Sequence, residues 1–161
     1  MYYTITSSPF GDIALTANDN GLTALSFLEG EQALTINGEF RKSSHPFTEV
    51  ITQLNQYFNH QRTHFSLPLA PKGTVFQLQV WQALQRIPFG ETKSYSWLAQ
   101  TINNEKAVRA VGSANGKNPI ALIIPCHRVI GSNQKLTGYA GGLALKASLL
   151  THEKATFIDI K

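Results

Sequence analysis

The spacing of apolar residues changes character near the middle of the chain. In the first half, short β-type runs at Tyr2–Thr6, Ile13–Ala17 and Leu22–Leu28 are separated by turn-forming residues. Residues 29–44 have only a weak pattern, and a helical stripe of apolar residues then covers Pro46–Asn59. This order predicts a small sheet with one helix packed on a face of it.

In the second half the pattern predicts helices joined by short turns. Thr74 and Gln77 have the spacing of a capping box, so they mark the start of a helix. Ser94 is a candidate cap for the next, shorter helix. After the turn at Asn103 and Asn104, another short helix runs to Gly116. The last helix is expected from about Leu143 to His152, with Leu143, Ala147 and Leu150 facing inward.

The two short helices between Ser94 and Gly116 allow two interpretations. Helices across a tight turn are typical of a DNA-binding helix-turn-helix, but an ordinary αα-hairpin has the same pattern. The second helix is expected to carry Lys106 and Arg109 away from its apolar face. Its small residues, among them Gly112, leave room for close approach by a nucleic-acid backbone or by a packed neighbouring helix.

The charge of the chain is unevenly distributed. Residues 1–71 contain three Lys/Arg and six Asp/Glu, a net charge of −3, whereas residues 72–161 contain eleven and four, a net charge of +7. The change of sign coincides with Pro68, Pro71 and Gly73, so we predict two domains, 1–70 and 71–161. The basic half fits a partner that carries phosphate groups, and it also fits a solvated surface that maintains solubility.

Composition narrows the class of protein. Of 161 residues, 42% are hydrophobic and 15% are charged, which is typical of a globular chain. No apolar stretch approaches the roughly 18 residues of a membrane span, and the N-terminus lacks the pattern of a signal peptide. A single cysteine, Cys126, excludes an internal disulfide. We therefore expect a soluble, reduced, cytoplasmic protein with no membrane partner.

Cys126 is the candidate centre of chemistry. It follows the apolar run Ile120–Ile124 and lies in the sequence Pro125-Cys126-His127-Arg128. A lone cysteine in apolar surroundings is commonly an inert buried side chain, but a neighbouring imidazole can take its proton and make it a nucleophile. Neighbours on an extended strand point to opposite faces, so contact between Cys126 and His127 needs a turn or a bridging water. Glu153 would then orient His127.

A larger set of motifs around this cysteine carries a resemblance to a known family. They extend from residue 73 to Glu153 and include Gly73-Thr74-Val75-Phe76-Gln77, Ile87-Pro88-Phe89-Gly90, Lys106-Ala107-Val108-Arg109-Ala110-Val111-Gly112, Asn118-Pro119, Ile124-Pro125-Cys126-His127-Arg128-Val129 and Gly138-Tyr139-Ala140-Gly141-Gly142. Together they resemble the O6-alkylguanine-DNA alkyltransferases. The resemblance implies an α/β (α+β) protein with an RNase H-like N-terminal domain. The C-terminal domain would be mainly helical, with a winged helix-turn-helix-like DNA-binding motif.

The resemblance also implies a role for individual residues. Cys126 would accept the alkyl group, and His127 would remove the proton of the Cys126 thiol through a water molecule. Glu153 would orient His127, and Asn118 would fix the turn that precedes Cys126. Tyr95 would assist protonation of the leaving guanine. The base pocket would be formed by Val129, Tyr139, Ala140 and Lys146. DNA would be contacted by Ser94, Tyr95, Lys106, Ala107, Arg109 and Ser113, with Arg109 filling the gap left by a flipped base.

The function that follows from the resemblance is DNA repair by direct reversal. A monomer would move the methyl (alkyl) group of O6-methylguanine in double-stranded DNA to Cys126, irreversibly and once per molecule, with O4-methylthymine as a lesser substrate. No cofactor is expected, and no metal, because the zinc ligands of some relatives are absent. Two other classes stay open: a DNA-binding regulator without chemistry, and a thiol hydrolase built on Cys126, His127 and Glu153.

Overall fold

The N-terminal part of the chain forms a four-stranded sheet. A computed structural model describes residues 1–28, 40–137, 139 and 142–158. The sheet has the order β3-β2-β1-β4, antiparallel except for the parallel pair of β1 and β4. Its strands are β1 (Tyr2–Thr6), β2 (Ile13–Asn18), β3 (Gly21–Phe27) and β4 (Arg41–Lys42). The three predicted strands are present within one residue of their expected ends, while the two-residue β4 was not predicted.

Helix α1 (Thr48–Phe58) follows a 3₁₀ turn at His45–Phe47. Its buried side chains include Val50, Leu54 and Tyr57, which belong to the same apolar cluster as the inner residues of β2 and β3. The expected helix over Pro46–Asn59 is therefore confirmed, with its first turn in 3₁₀ form.

In the C-terminal part, the described residues form four α-helices and a short parallel pair of strands. The elements are α2 (Val75–Leu84), β5 (Lys93–Ser94), α3 (Tyr95–Thr101), α4 (Val108–Gly116), β6 (Val129–Ile130) and α5 (Leu143–His152). Both predicted N-caps are confirmed: Thr74 and Gln77 form a complete capping box, and the Ser94 hydroxyl accepts a hydrogen bond from the Trp97 N–H.

Two details of the predicted helices are wrong. Lys106 does not lie on α4, because residues up to Ala107 form a turn and the helix begins at Val108. Leu143 does not face the core; it is 45% exposed in the first turn of α5. The buried face of α5 includes the polar Lys146, whose ammonium group finds acceptors inside the protein, so an apolar pattern alone did not locate that face.

The outer edge of β3 joins the two parts of the chain. Leu22 exchanges backbone hydrogen bonds with Pro68 and Ala70. Further along the same edge, the Leu25 N–H donates to the Pro119 carbonyl oxygen at 3.0 Å, and the Ala121 N–H donates to the Leu25 carbonyl oxygen at 3.1 Å. The sheet thus holds the segment that leads into Cys126, and its edge is covered at these points.

Within the described ranges, no helix has both the length and the apolar character needed to cross a membrane.

Candidate active site

The backbone around Cys126 is a turn. Leu122 has a left-handed φ of 70°, and Cys126–Arg128 form a 3₁₀ turn after Pro125. In the apolar run that precedes them, Ile120 and residues 122–124 are buried, and residues 121–123 form a turn. The turn supplies the change of direction that an extended strand would lack, so the neighbouring side chains of Cys126 and His127 need not point to opposite faces.

His127 and Glu153 form a buried pair. The imidazole Nε2 lies 2.9 Å from Glu153 Oε2, and the two side chains are 0% exposed. Glu153 lies at the C-terminal cap of α5, where the N–H of residue 153 closes the last turn on Leu149. The structure therefore brings together an imidazole and a carboxylate that are 26 residues apart in sequence.

Two further side chains bind the Glu153 carboxylate, and sequence reasoning missed both. Arg128 donates from Nε to Oε1 at 2.8 Å and from Nη2 to Oε2 at 2.9 Å. The Tyr57 hydroxyl donates to Oε2 at 2.5 Å. Burial alone would raise the pKa of the Glu153 carboxyl, but the interaction with His127 and the charge and hydrogen bonds of Arg128 outweigh burial and hold that pKa well below its usual range. Glu153 is thus an ionised acceptor.

This arrangement assigns the protons of His127. An ionised carboxylate only accepts hydrogen bonds, so the Nε2 of His127 carries the hydrogen that it donates to Glu153. Burial lowers the pKa of His127 even though Glu153 acts in the opposite direction, so the ring is neutral and its Nδ1 is unprotonated. Nδ1 is buried and has no hydrogen-bond partner among the described residues. A buried basic nitrogen is available there for proton transfer.

The surroundings of the Cys126 thiol act on its ionisation in opposite directions. The side chain is 6% exposed, and this burial raises the pKa of the thiol. A hydrogen bond from Asn118 and the positive charge of Lys146 act to lower it. Asn118 also fixes the preceding turn, because its Nδ2 donates to the Ile124 carbonyl oxygen at 2.7 Å and its Oδ1 accepts from the Ile120 N–H at 3.0 Å.

Lys146 connects α5 to the start of β6 and to the loop at Thr137. Its Nζ donates to the carbonyl oxygens of Val129 at 2.6 Å and Thr137 at 2.8 Å. The side chain is fully buried, and burial lowers its pKa to about 8 although the Cys126 thiolate acts to raise it. Lys146 is thus a structural tie for the expected pocket as well as a charge near the acceptor sulfur.

Val129 and Tyr139, two more of the expected pocket residues, are both buried. Val129 is buried next to the 3₁₀ turn. Tyr139 is 9% exposed, and its hydroxyl has no partner within the part of the chain that is described. The half-buried Tyr95 shares a hydroxyl–hydroxyl hydrogen bond of 2.8 Å with Thr137. Ala140, the fourth expected pocket residue, lies outside the described residues.

The expected DNA-contacting residues cluster on α3, α4 and the turn between them. Lys106, Arg109 and Ser113 are exposed, whereas Ala107 is half-buried and Ser94 is used as the cap of α3. A Cβ added at Gly112 would lie 3.7 Å from the Tyr95 ring, which is an ordinary contact distance. The thin face of α4 at Gly112 therefore meets α3, as a packed neighbouring helix would require.

No group of three or more His, Cys, Asp or Glu side chains in the described ranges is arranged to hold a metal ion. The groups that interact with the Cys126 thiol include the Asn118 amide, the Lys146 ammonium group and the phenols of Tyr95 and Tyr139.

Comparison with known proteins agrees with this architecture. The family model described as 6-O-methylguanine DNA methyltransferase, ribonuclease-like domain, matches residues 1–71. The model described as 6-O-methylguanine DNA methyltransferase, DNA binding domain, matches residues 75–155. These matches confirm the expected class of protein, a mixed α/β chain with a ribonuclease-like first domain and a helical DNA-binding second domain.

Individual relatives match over nearly the whole chain. A methylated-DNA--protein-cysteine methyltransferase of Methanosarcina barkeri is 50% identical, with 96% of this chain and 98% of the relative covered. The constitutive enzyme of that name from Bacillus subtilis is 44% identical, with 97% of each chain covered. The crystal structure of Mycobacterium tuberculosis OGT in complex with DNA superposes with a TM-score of 0.89 at 45% identity, covering 96% of this chain and 93% of the other. The chain belongs to the O6-methylguanine-DNA methyltransferase family.

Proposed function

We propose that the protein repairs DNA by moving the methyl (alkyl) group of O6-methylguanine to Cys126, irreversibly and once per molecule. This function is supported above all by one group of buried side chains in a helical DNA-binding domain: Cys126, the neutral His127 and the ionised Glu153. The relatives named as methylated-DNA--protein-cysteine methyltransferases support it. O4-methylthymine is proposed as a less efficient substrate.

The chemistry begins with a proton transfer. Burial keeps the Cys126 thiol protonated at rest, so a base is needed, and His127 Nδ1 takes the proton through one water. The thiolate that forms is stabilised by a hydrogen bond from the Asn118 amide and by the positive charge of the Lys146 ammonium group. Glu153, held by Arg128, stabilises the resulting imidazolium.

Alkyl transfer then exchanges one bond for another. The Sγ of Cys126 forms a bond to the alkyl carbon while the bond from that carbon to O6 breaks and its electron pair passes to guanine. The departing base gains one proton, which balances the proton that His127 removed from Cys126, and Tyr95 assists this protonation. The products are ordinary guanine and a thioether at Cys126. No described group of the site can cleave a thioether, so each molecule reacts once, and the proposed reaction needs no cofactor.

Access to the lesion requires base flipping. The O6-alkyl carbon is hidden in a duplex, and extruding the base costs a few kcal/mol. We propose that α3, α4 and the β5–β6 pair act as a winged helix-turn-helix on DNA, with Arg109 occupying the gap left in the base stack. The other proposed DNA contacts are Ser94, Tyr95, Lys106, Ala107 and Ser113, and the flipped base would lie against Val129, Tyr139, Ala140 and Lys146.

The proposal also covers the domain boundaries, the oligomeric state and the cellular compartment. The domains divide into 1–70 and 71–161, and the protein acts as a monomer on double-stranded DNA. The proposed compartment is the cytoplasm, because an acceptor thiol must stay reduced until it meets its substrate.

Mass spectrometry tests the function directly. A duplex that contains O6-methylguanine is expected to add one methyl group to the peptide that contains Cys126, with a yield that stops at one per protein molecule. An unmodified duplex and the Cys126→Ser variant should give no adduct. Repeated turnover on ester or peptide substrates would instead indicate a thiol hydrolase. Tight binding to one unmodified sequence, unaffected by Cys126→Ser, would indicate a regulator.

A further inference from the structure

A tyrosine of the ribonuclease-like domain reaches into the site of the DNA-binding domain. Tyr57 lies near the end of α1, is 0% exposed, and donates its hydroxyl hydrogen to Glu153 Oε2 at 2.5 Å across 96 residues of sequence. The hydroxyl therefore brings α1 into contact with the carboxylate of the proposed catalytic group.

The ring of Tyr57 is fixed on several sides. Its centroid lies 5.3–6.0 Å from the rings of Phe58, Phe65 and Phe89 and 4.9 Å from that of His152. His152 Nε2 also lies 3.0 Å from the Tyr57 carbonyl oxygen. A ring packed in this way holds its hydroxyl in one position, so the hydroxyl can in turn hold the carboxylate.

Three donors share one oxygen of Glu153. Oε2 accepts from the Tyr57 hydroxyl, from Arg128 Nη2 and from His127 Nε2. Each donor withdraws charge from the oxygen, so the strength of the interaction with His127 depends on the other two. The titratable or charged groups facing His127 are Glu153, Arg128 and Lys146, and those facing Tyr57 are Glu153, Arg128, Tyr139 and His152.

We propose that Tyr57 is a positioning residue for alkyl transfer, through which the ribonuclease-like domain sets the orientation and basicity of His127 by way of Glu153. This inference rests on the proposed function of His127 as the base. Burial and the neighbouring Glu153 both raise the pKa of Tyr57, so it stays protonated and remains a donor throughout the working pH range.

Removal of the Tyr57 hydroxyl should raise the pKa of His127. Without it, Glu153 Oε2 carries more negative charge towards His127, and the protonated imidazole becomes more stable. His127 then keeps its proton to a higher pH, and less of it is available as a base at neutral pH. A merely structural role for Tyr57 would lower stability without moving this titration.

The test compares the full-length protein with Tyr57→Phe, which keeps the ring and its packing. The rate of methyl transfer to Cys126 is measured from pH 5 to 9, together with thermal unfolding. The midpoint of the pH profile should rise by roughly one unit, with a rate about tenfold lower below it and a plateau at high pH close to that of the wild type. Tyr3→Phe, which removes a phenol oxygen from β1, should leave the profile unchanged.

Two readouts overturn the inference. An unshifted profile, or a rate lowered equally at every pH, contradicts the positioning role. Titration of the His127 ring by nitrogen-15 NMR in the free proteins separates this outcome from failure of the proposed function, because it needs no DNA. If the wild type transfers no methyl group, the function fails, while equal His127 midpoints in the two proteins would refute the role of Tyr57.

A second substitution keeps the proposal testable if the Tyr57→Phe variant does not fold. Site-specific incorporation of 3-fluorotyrosine at position 57 keeps the hydroxyl and makes it a stronger donor. The His127 midpoint should then fall, opposite in sign to the change in Tyr57→Phe. A midpoint that stays the same or rises contradicts the proposed coupling.

Discussion

The indole Nε1 of Trp81 on α2 donates a hydrogen bond of 2.9 Å to the carbonyl oxygen of Ala114 on α4. Trp81 is 2% exposed and Ala114 is 3% exposed, so the bond is shielded from water. The same oxygen accepts from the Lys117 N–H at the end of α4. The bond thus fixes the C-terminal end of the proposed DNA-reading helix against the helix behind it.

The first prediction concerns this bond. Trp81→Phe removes the donor and part of the buried ring, and it should lower the free energy of unfolding by about 1–3 kcal/mol. Affinity for duplex DNA should fall with it, because α4 is held less firmly. Chemical denaturation and DNA titration measure the two effects. Gln79→Ala, on the exposed side of α2, is the matched control and should change neither quantity.

The second prediction concerns Asn118. Asn118→Ala loses the hydrogen bonds to Ile120 and Ile124 and the donor near Cys126, so methyl transfer should slow by about tenfold or more. Asn118→Asp keeps the acceptor for the Ile120 N–H but brings a negative charge towards the thiol, which raises the pKa of Cys126 further. The aspartate variant should therefore be slower than the alanine variant, despite its closer shape. The pH dependence of thiol alkylation by iodoacetamide measures the cause, and equal thiol pKa values in all three proteins would contradict it.

The third prediction concerns the pH dependence of stability at Lys146. Its pKa is about 8 in the folded protein and 10.5 in an unperturbed lysine, so between these values the unfolded chain holds a proton that the folded chain has lost. Stability therefore rises with pH across this window. Relative to Lys146→Met, the unfolding free energy of the wild type should increase by about 3 kcal/mol from pH 8 to 10.5.

Urea denaturation at a series of pH values measures this difference. The exposed Lys72 provides the control, since Lys72→Met should follow the wild type at every pH. If the difference between wild type and Lys146→Met stays constant across the window, the lowered pKa is wrong.

The fourth prediction separates DNA handling from chemistry at Arg109, which is exposed on α4. Arg109→Ala should slow methyl transfer from a duplex by roughly ten- to a hundredfold, because the flipped state loses a stabilising side chain. Transfer from a free O6-alkylguanine base, which needs no flipping, should stay near the wild-type rate. Rapid-quench kinetics on both substrates measure the contrast. Lys72→Ala, which removes a positive charge elsewhere, should leave both rates unchanged.

Local sequence signals accounted for much of the fold. The capping box at Thr74 and Gln77, the cap at Ser94 and the extent of α5 all depend on residues within four positions of one another, and all are present. The two-residue β4 has too few positions to show a period, so its pairing with β1 comes from the sheet and not from its own pattern.

The site was only partly predictable, because its contacts join residues that are far apart in the sequence. Arg128 carried a usable signal, because it lies between the apolar run Ile120–Ile124 and the apolar pair Val129-Ile130, and a charged residue that is buried needs a charged partner. Tyr57 carried a weaker one, since its place three residues after Leu54 puts it on the buried face of α1. Its bond to Glu153 spans 96 residues, and only the packing of two domains brings such distant groups together.

The edge of β3 has a consequence for which changes near the site the protein tolerates. Leu25 is hydrogen-bonded to Pro119 and Ala121 through peptide groups alone, so a different side chain at Ala121 leaves these bonds in place. The loop ahead of the acceptor sulfur then stays attached to the sheet. The link between Tyr57 and Glu153 differs from this backbone connection, because it depends on a single side-chain atom, the Tyr57 hydroxyl oxygen. A changed side chain at Ala121 should therefore disturb the site less than loss of that hydroxyl.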